Sequence, residues 1–469
     1  MKKMAIVLAA GQGKRMKSKL YKVLHPVCGR PMVGHVVDAV RKAECDRVVV
    51  VVGHGAEAVQ ETLGDSVEYA LQAEQLGTGH AVAQAESLLG AEEGITVVIA
   101  GDTPLISAET LRQLLSIHER EGAAATVLTA KLADPTGYGR VVRGPDGSVL
   151  RVVEHKDCSP EEAAITEINT ATYCFDNRKM FEALRGVTNN NAQGEYYLPD
   201  VIGILKRQGD RVAACLLADP DEATGVNDRI AMSAAEKLMR RRINAQHQAN
   251  GVTLIDPETT YIETGVTIGQ DTVIYPGTTL RGSTSIGSDC VVGPAADLTD
   301  SIVGAGTTIR QTVAEGAELG EECIVGPFAY LRPGTKLGRH VKVGDFVELK
   351  NASVGDNSKV PHLSYLGDAV VGSGVNVGCG AITANYDGYN KFVTEIGDNV
   401  FVGSNVNLIA PVKIGSGAFI VAGSTITHNV NDNDLAIARP RQENKPGYAD
   451  KIRARARSKK EKNNENGNA

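Results

Sequence analysis

The sequence predicts an α/β nucleotide-binding domain with a Rossmann-like, mainly parallel sheet, followed by a linker helix and a left-handed parallel β-helix of hexapeptide repeats. Two observations predict this architecture. Up to about residue 226, short apolar runs alternate with amphipathic segments, as expected for the strands and helices of a parallel sheet. From about residue 262 to 437, an aliphatic residue followed by Gly and four mostly small or polar residues recurs every six positions, which is typical of β-helices.

The first domain, residues 1–226, contains the candidate strands and helices in alternation. Ligands of such sheets collect at the carboxyl ends of the strands, so functional residues are expected in the segments that follow them. The predicted strands are Met4–Leu8, Arg47–Val52, Thr96–Ala100, Ala124–Ala130 and Arg211–Leu217, and the predicted helices include Val33–Lys42 and Ala108–Glu121.

The segment Leu8–Met16 follows the first predicted strand and is rich in small residues. Small side chains let the backbone approach a ligand closely, so that its N–H groups can face phosphates or a base. Lys14 and Arg15 add positive charge, and Lys22 supplies a third cation nearby. The segment matches neither the dinucleotide-binding fingerprint nor the Walker loop, so by itself it is also compatible with a simple tight connection.

Two residues are candidate ligands of a divalent metal. Asp102 follows the strand Thr96–Ala100, where a carboxylate can hold a metal on bound phosphates, and a turn or N-cap role is the alternative. Asn227 opens the predicted linker helix, residues 227–251, and is interpreted both as its N-cap and as a metal ligand. The apolar stripe of this helix is predicted to comprise Ile230, Ala234, Leu238 and Ile243, with Met239–Arg242 on the solvent face.

Residues 252–449 are predicted to form the β-helix, in which three hexapeptides make one triangular coil and aliphatic side chains fill the interior. A regular solenoid by itself indicates only a scaffold. Here, however, Arg332, Lys350 and Pro361–His362 stand where Gly is expected, about one coil apart, which favours a site. The repeat is also interrupted at Thr383–Phe392, and insertions into solenoids usually lie on a functional face.

Composition argues against several classes of protein. The formal net charge of −7 argues against nucleic-acid binding through phosphates. The eight Cys include no CxxC pair, which argues against a zinc site or a disulfide framework and favours a reducing compartment. No apolar stretch approaches the length of a membrane span, so we expect a cytoplasmic protein that binds neither nucleic acid nor membrane. The basic, Asn-rich tail, residues 450–469, is predicted to be disordered.

Three motifs make the sequence similar to a known family: Gln72–His80, Asn189–Tyr197 and Pro361–Asp368. Together with the hexapeptide region they resemble the bifunctional bacterial N-acetylglucosamine-1-phosphate uridylyltransferase/glucosamine-1-phosphate N-acetyltransferases, over nearly the whole chain except the tail. The resemblance implies that the β-helix transfers the acetyl group of acetyl-CoA to glucosamine-1-phosphate. It also implies that the first domain, with Mg²⁺, transfers uridylyl from UTP to the product, giving UDP-N-acetylglucosamine and pyrophosphate, and that the chain forms a homotrimer.

The resemblance further implies roles for residues of the first domain. Asp102 and Asn227 would bind Mg²⁺, Asn227 also contacting the nucleotide sugar, and Arg15 would be catalytic by steadying the triphosphate. Lys14 departs from the Thr that is common there, which adds a charge. The remaining ligands of UTP and UDP-N-acetylglucosamine would be Leu8, Ala9, Ala10, Gly11, Lys22, Gln72, Gly77, Thr78, Gly139, Glu154 and Asn169.

In the β-helix, the resemblance makes His362 the general base that takes a proton from the attacking amine. Cys379 departs from the Ala that is common at its position, which predicts sensitivity to thiol reagents. The sugar phosphate would be bound by Arg332, Lys350, Tyr365, Asn376, Asn385 and Tyr386, and acetyl-CoA by Cys379, Ser404, Ala422 and Arg439.

Two alternatives are open from the sequence. The first is a single-activity sugar-nucleotide pyrophosphorylase with a regulatory or oligomerising β-helix, against which Arg332, Lys350 and His362 in corner positions argue. The second is a non-catalytic assembly scaffold, against which the Gly-rich segment and Asp102 argue.

Overall fold

The computed structural model describes the backbone of residues 1–466 and the side chains of residues 1–463. The chain forms two compact units, Met1–Ser285 and Ile286–Ala469. The boundary between them lies within the hexapeptide region, so that each unit contains some of its strands. The predicted domain limits at residues 226, 251 and 449 stay predictions.

The first unit is built on a nine-stranded sheet. Its strands are β1 (Lys2–Ala9), β2 (Arg47–Val52), β3 (Glu68–Leu71), β4 (Gly94–Ala100), β5 (Ala125–Lys131), β6 (Gly139–Arg143), β7 (Val149–Val153), β8 (Glu167–Asp176) and β9 (Val212–Leu216). Seven of them follow the order β9-β5-β8-β4-β1-β2-β3, and the hairpin β6–β7 pairs with β8. The strand pairs β1·β2, β1·β4, β2·β3 and β5·β9 are parallel, which confirms the predicted mainly parallel sheet.

Buried apolar strands explain why this sheet forms. The five consecutive valines of β2 are all buried, as expected for a parallel strand with helices on both faces. The helices of this unit are α1 (Met32–Lys42), α2 (Ala56–Leu63), α3 (Thr78–Ala83), α4 (Glu86–Leu89), α5 (Ala108–Glu121), α6 (Pro160–Ala163), α7 (Asn177–Leu184), α8 (Asp200–Arg207) and α9 (Arg229–Ala249).

The predicted N-cap of α9 is wrong. Asp228, not Asn227, caps this helix, because the Asp228 carboxylate accepts hydrogen bonds from the N–H groups of Ile230 at 3.0 Å and Ala231 at 2.8 Å. Asp228 directly precedes the helix, so its side chain is closer than that of Asn227 to the N–H groups of the first turn. Asn227 is left free to point its side chain elsewhere.

The predicted apolar stripe of α9 is only partly right. Ile230 is 84% exposed, whereas Leu238 packs as predicted, together with Met232, Ala235 and Met239, against a core that contains Leu105. The sequence contains two overlapping apolar stripes, and the tertiary contacts select the one with the methionines. Within the predicted solvent face, the Arg240 guanidinium lies 4.3 Å from the centre of the Tyr261 ring.

The hexapeptide strands of the first unit are Thr253–Leu254, Tyr261–Ile262, Thr267–Ile268, Val273–Ile274 and Thr279–Arg281, and a further strand, Ser285–Ile286, spans the boundary. Thr253 pairs with Val273 and Tyr261 with Thr279, both in parallel.

In the second unit the hexapeptide strands form three parallel sheets. The first sheet contains Val291–Val292, Thr308–Ile309, Ile324–Val325, Lys342–Asp345, Lys359–His362, Asn376–Val377, Phe401–Val402, Phe419–Ile420 and Leu435–Ala436. The second sheet contains Asp297–Thr299, Val313–Glu315, Tyr330–Leu331, Glu348–Lys350, Tyr365–Gly367, Ile382–Ala384, Asn407–Ile409 and Thr425–Ile426. The third sheet contains Ile302–Val303, Glu318–Leu319, Lys336–Leu337, Ser353–Val354, Ala369–Val371, Thr394–Ile396 and Val412–Ile414.

These sheets confirm the predicted β-helix. Each coil contributes one strand to each sheet, and equivalent residues of neighbouring coils are 16 to 18 positions apart, or 25 where the inserted loop intervenes. Aliphatic side chains such as Val325, Leu331 and Leu337 are buried in the interior. Buried hydroxyls are satisfied by backbone carbonyls: Thr335 donates to Arg332 O and Ser358 to Gly372 O, both at 2.7 Å.

The tail contains a helix, and its predicted disorder stays a prediction. Residues Tyr448–Asn466 form a helix, α10, whose described side chains are all exposed. Its Ala, Arg, Lys and Glu residues have high intrinsic helix propensity, although no apolar face is present. Residues 467–469 lie outside the described part of the chain. Across the described residues, no helix combines the length and apolar character needed to span a membrane.

Candidate functional site

A cavity of about 300 Å³ lies in the first unit, at the carboxyl ends of β1, β3 and β4. The predicted site residues that line it are Leu8, Ala10, Gly11, Lys22, Gln72, Gly77, Thr78, Asp102, Glu154 and Asn169. Residues that the sequence reasoning missed also line it, among them Gln75, Ala171, Tyr173, Glu195 and Leu198. The motif Asn189–Tyr197 was recognised, but no role in the cavity was assigned to it.

Four predicted residues of this domain do not line the cavity. Ala9 is buried in the core of the sheet, and Arg15 is exposed in a short turn. Gly139 is the antiparallel partner of the lining residue Asn169 in strand β8. Asn227 approaches the cavity only through its contact with a lining residue, Lys22.

Lys22 connects the two predicted metal ligands. Its Nζ forms an ion pair with Asp102 and donates a hydrogen bond to Asn227 Oδ1 at 3.3 Å. The Asp102 carboxylate and Asn227 Oδ1 both contact the Lys22 ammonium, so the two groups lie close together. They fit the preference of Mg²⁺ for oxygen ligands, with water and phosphates completing the coordination. Within the described residues, no group of three or more His, Cys, Asp or Glu side chains offers a fuller metal site.

The loop that contains Gly77 forms one wall of the cavity. Gly77 has a φ of 112°, and a Cβ there would lie 2.6 Å from Tyr196 O, so only Gly fits. Gln72 Nε2 donates to Gly77 O at 3.1 Å, and Thr78 Oγ1 accepts from the N–H of Leu198 at 3.1 Å. The N–H of Gly79 donates to Tyr196 O and that of Tyr196 to Leu76 O, both at 2.8 Å, so the motifs Gln72–His80 and Asn189–Tyr197 hold each other in place.

Strand β8 is irregular where it borders the cavity. Its register against β5 shifts between Asn169 and Tyr173, and Ala171 has a φ of 58°. Asn169 Nδ2 donates to the Tyr173 hydroxyl at 2.6 Å. Beside them, burial and the neighbouring acidic side chains raise the pKa of Glu154. The bulge places the Asn169 amide in the cavity wall, and the Glu154 carboxyl group, directly after β7, lines the same cavity, so that both can bond the hydroxyl and amide groups of a sugar.

In the second unit, His362 lies at the corner between the first and second sheets. Its partner in register in the preceding coil is Asp345, and His362 Nδ1 lies 2.6 Å from Asp345 Oδ1. The hydrogen bond from the His362 ring lowers the pKa of Asp345. With Nδ1 donating to the carboxylate, Nε2 carries the lone pair and can accept a proton.

Three cations gather at the second sheet. Arg332 and Lys350 are neighbours in register, and the ammonium of Lys350 lowers the pKa of Lys391 through direct contact and charge repulsion. Lys350 Nζ also lies 3.5 Å from Asp368 Oδ2, and Arg332 donates to Glu348 at 2.8 Å. Cations that repel one another in this way favour a bound anion such as a phosphate. Lys391 lies in the interruption Thr383–Phe392 and is not among the predicted site residues.

Asp368 organises this cation cluster. Its carboxylate accepts hydrogen bonds from Asn351 Nδ2 at 2.8 Å and from Asn385 Nδ2. Burial alone would raise the pKa of Asp368, but these bonds and the charge of Lys350 lower it. The predicted ligand Asn385 is thus committed to Asp368 and is buried, whereas its neighbour Tyr386 is 61% exposed.

The residues predicted to bind acetyl-CoA lie in one column along the His362 corner. Cys379 is aligned with Ser404, and Ser404 with Ala422, because each pair lies two residues beyond an aligned strand pair. Arg439 continues the column, since its Cδ lies 3.7 Å from the position of a Cβ on Gly423. The column is open to solvent at Cys379 and Ser404.

Not all predicted acetyltransferase residues are brought together within one copy of the chain. Lys350 aligns with Gly367, which lies five residues beyond His362, so the two side chains start roughly 15 Å apart along the second sheet. The Tyr365 ring leans over Gly367, toward Lys350. Asn376 lies on the first sheet, paired with Lys359, away from the cations.

Comparison with known proteins relates nearly the whole chain to named relatives. The Nucleotidyl transferase family model matches residues 4–221, and the Bacterial transferase hexapeptide (six repeats) model matches residues 394–428. The chain is 58% identical to the bifunctional protein GlmU of Halalkalibacterium halodurans, over 95% of this chain and 98% of that protein. It is 58% identical to that of Brevibacillus brevis, over 96% and 97% of the two chains. The chain belongs to the GlmU family.

Membership of the GlmU family confirms the resemblance and the predicted enzyme, a bifunctional transferase with acetyltransferase and uridylyltransferase activities. It sets aside the single-activity pyrophosphorylase and the non-catalytic scaffold. The structure adds two residues to those that sequence reasoning found in the second unit of this GlmU-family chain. Asp345 lies one coil before His362 and could have been found by counting back; Lys391 lies in the insertion, where the repeat gives no register.

Proposed function

We propose that the chain makes UDP-N-acetylglucosamine in two steps at two separate sites. Glucosamine-1-phosphate is acetylated at the His362 corner, and the product receives the uridylyl group of UTP in the cavity of the first unit. The observation that carries this proposal is that the cavity with Asp102 and the His362–Asp345 pair belong to different compact units.

In the first unit, the cavity residues bind UTP and the acetylated sugar phosphate. The backbone of Leu8–Gly11 and the Gly77 loop hold the uridine, because small residues there leave the backbone accessible. Glu154 and Asn169 bind the sugar, in keeping with their place in the cavity wall, Glu154 after β7 and Asn169 at the β8 bulge. Arg15, exposed on its turn, is free to move onto the phosphates.

Asp102 and Asn227 would hold Mg²⁺, since their oxygens face a common point. When bound, the metal neutralises charge on the phosphates during uridylyl transfer. Lys22, which contacts both ligands, supports the reaction by binding the α-phosphate that the sugar phosphate attacks. Such transfer depends mainly on in-line positioning and charge neutralisation, so no residue has to form a covalent bond.

In the second unit, His362 Nε2 takes a proton from the amine as the nitrogen attacks the acetyl carbonyl. Asp345 holds the opposite ring nitrogen, which fixes the tautomer and stabilises the imidazolium that forms. Arg332, Lys350 and Lys391 bind the sugar phosphate, which is supported by the mutual repulsion of the two lysines. The corner column Cys379–Ser404–Ala422–Arg439 binds acetyl-CoA, an elongated molecule that suits a run of several coils.

The active enzyme would be a cytoplasmic homotrimer. The trimer is supported by the separation of His362 from the cation cluster within one chain, because a second copy can bring its own cations to the His362 corner. Heterologous packing of flat prism faces around a three-fold axis would complete each acetyltransferase site. Sedimentation of the purified protein measures this oligomeric state directly.

Two variants test the two-site proposal. Asp102→Ala should abolish formation of UDP-N-acetylglucosamine and leave release of CoA with glucosamine-1-phosphate unchanged. His362→Ala should lower acetyl transfer about 10²- to 10⁴-fold and leave uridylyl transfer unchanged. Loss of both activities in either folded variant would contradict the assignment.

A further inference from the structure

The side-chain amide of Gln72 lies in the wall of the first-unit cavity with only one of its two polar ends paired. Gln72 directly follows β3, is 3% exposed and lines the cavity. Its Nε2 donates to Gly77 O at 3.1 Å and lies 3.1 Å from His80 Nδ1. Among the described residues, none bonds its Oε1. This amide therefore offers a carbonyl oxygen, a hydrogen-bond acceptor, to a bound ligand.

The contacts of Nε2 fix which way round the amide stands. A backbone carbonyl oxygen only accepts hydrogen bonds, so the Gln72 atom that faces Gly77 O has to be the one that carries hydrogen. The second hydrogen of Nε2 is directed to His80 Nδ1. Turning the amide over would place Oε1 against a carbonyl oxygen and a ring nitrogen, and would leave buried acceptors without donors. His80 thus supplies one of the two contacts that hold this orientation.

The tautomer of His80 follows from its two neighbours. His80 Nε2 lies 3.2 Å from Gln84 Nε2, so an amide nitrogen approaches each ring nitrogen, whereas a neutral imidazole accepts at only one. Gln84 is half-buried and its Nε2 also donates to His80 O at 3.0 Å. Gln72 is buried, where an unpaired N–H costs more. Nδ1 is therefore the acceptor for Gln72, and Nε2 carries the proton.

His80 stands beside the residue that meets the ligand and not beside the ligand itself. It lies in α3, is half-buried and does not line the cavity. Its ring packs near that of Tyr196, with 6.5 Å between the ring centres. The hydrogen bond to Gln72 is therefore the contact through which His80 can act on a ligand.

We propose that His80 is a positioning residue that sets the choice of pyrimidine by fixing the Gln72 amide, an inference that rests on the proposed uridylyl transfer in this cavity. Uracil carries a hydrogen on N3 and can donate it to Gln72 Oε1. Cytosine has a lone pair on N3, which Oε1 repels, and a turned amide would reverse this preference. A site built to bond one ligand discriminates strongly against an analogue that leaves its buried polar group unpaired. UTP is thus favoured over CTP by an imidazole that contacts neither.

The ratio of kcat/KM for UTP to that for CTP, measured by pyrophosphate release with N-acetylglucosamine-1-phosphate, tests this role. His80→Leu keeps a bulky side chain without an acceptor and should lower the ratio roughly 3- to 10-fold, the effect of one neutral hydrogen bond. The loss should lie mainly in KM for UTP, because the reacting phosphates are untouched. His80→Ala, the second variant without an acceptor, should behave in the same way.

Two further variants separate positioning from a general structural role. His80→Asn should keep most of the wild-type ratio, because its Oδ1 can accept from Gln72 in place of Nδ1. Gln84→Leu is the matched control, since it removes only the contact on the Nε2 side and should leave the ratio unchanged. In a Gln72→Leu background, His80→Leu should have no further effect on the ratio.

The proposal is overturned if both variants without an acceptor, when folded, keep the wild-type ratio, or lower kcat/KM for UTP and CTP by the same factor. It is also overturned if His80→Asn loses as much as His80→Leu, or if the effect persists in the Gln72→Leu background. Failure of the unmodified protein to release pyrophosphate from UTP with N-acetylglucosamine-1-phosphate would instead count against the proposed function itself, so that the two failures are distinguishable.

Discussion

His362 and Asp345 occupy equivalent positions in consecutive coils, and their side chains meet at 2.6 Å between Nδ1 and Oδ1. The carboxylate therefore fixes which ring nitrogen carries the proton. A base on an exposed corner otherwise samples several orientations and both tautomers. The pair thus converts a surface histidine into an oriented base.

Asp345→Ala is expected to lower kcat for acetyl transfer roughly 10- to 100-fold, less than His362→Ala, because Nε2 stays present but loses its orientation. Uridylyl transfer should not change. Steady-state kinetics of CoA release across pH measures the effect. Glu322→Ala is the matched control, since Glu322 lies 3.2 Å from His340 Nδ1 in a similar pair away from the predicted site. Equal losses in both variants would show a general effect on the β-helix.

Asp368→Asn is expected to destabilise the protein by roughly 2 kcal/mol at pH 7, because buried hydrogen bonds to a charged group are lost. The pKa of Asp368 is lowered in the fold, so its contribution is fully present above the unfolded pKa of about 3.9 and is lost as pH falls through the folded pKa. Urea unfolding at pH 7 and at about pH 3 should therefore show a difference between wild type and variant that shrinks on acidification.

Asp387→Asn serves as the control for this pH dependence. The pKa of Asp387 is also lowered, by the backbone N–H groups of Asn390 and Tyr389, but the residue is exposed in the inserted loop. Because solvent screens the bonds of this exposed carboxylate, its replacement should change the urea midpoint at pH 7 much less than Asp368→Asn does. A pH-independent loss in Asp368→Asn would contradict the ionised state inferred for that carboxylate.

The structure could be predicted from the sequence wherever a sequence pattern is compatible with only one kind of structure. The valine run of β2 has no polar face, so it can only be a strand buried on both sides. The hexapeptide repeat likewise fixes which side chains enter the prism, and its period predicts that Arg332 and Lys350 are neighbours. Asp345 was predictable by the same count, one coil before His362.

Elsewhere the decisive interactions are tertiary. Two apolar stripes overlap on α9, and the choice between them depends on the core around Leu105, which periodicity does not reveal. Asn227 and Asp228 are both good capping residues, and only the contact with Lys22 separates their roles. Lys391 lies in an insertion without register, so its proximity to Lys350 could not be derived from spacing.

Gly11→Ala is expected to raise KM for UTP without lowering thermal stability. A Cβ at Gly11 would meet nothing within 4 Å, yet the residue lines the cavity, so the methyl group would occupy ligand space. Calorimetry and kinetics of pyrophosphate release measure the two quantities. An unchanged KM would show that the backbone of Gly11 does not approach the nucleotide.

Gly77→Ala should behave differently from Gly11→Ala. Its positive φ and the approach of a Cβ to Tyr196 O at 2.6 Å force the loop to move, so both the melting temperature and uridylyl transfer should fall. Acetyl transfer, in the other unit, should be retained at temperatures where the protein is folded. A variant with normal uridylyl transfer would show that the Gly77 loop does not shape the nucleotide site.

N-Ethylmaleimide is expected to abolish most acetyl transfer and to leave uridylyl transfer intact. Cys379 is the exposed thiol of the chain and lies beside His362, so the bulky adduct would block the corner where acetyl-CoA is proposed to bind. Acetyl-CoA present during the reaction should protect the enzyme, and the activity that remains in Cys379→Ala should resist the reagent. Assays of both activities on one treated sample measure this. Parallel loss of both activities, or inhibition of Cys379→Ala, would place the sensitive thiol elsewhere.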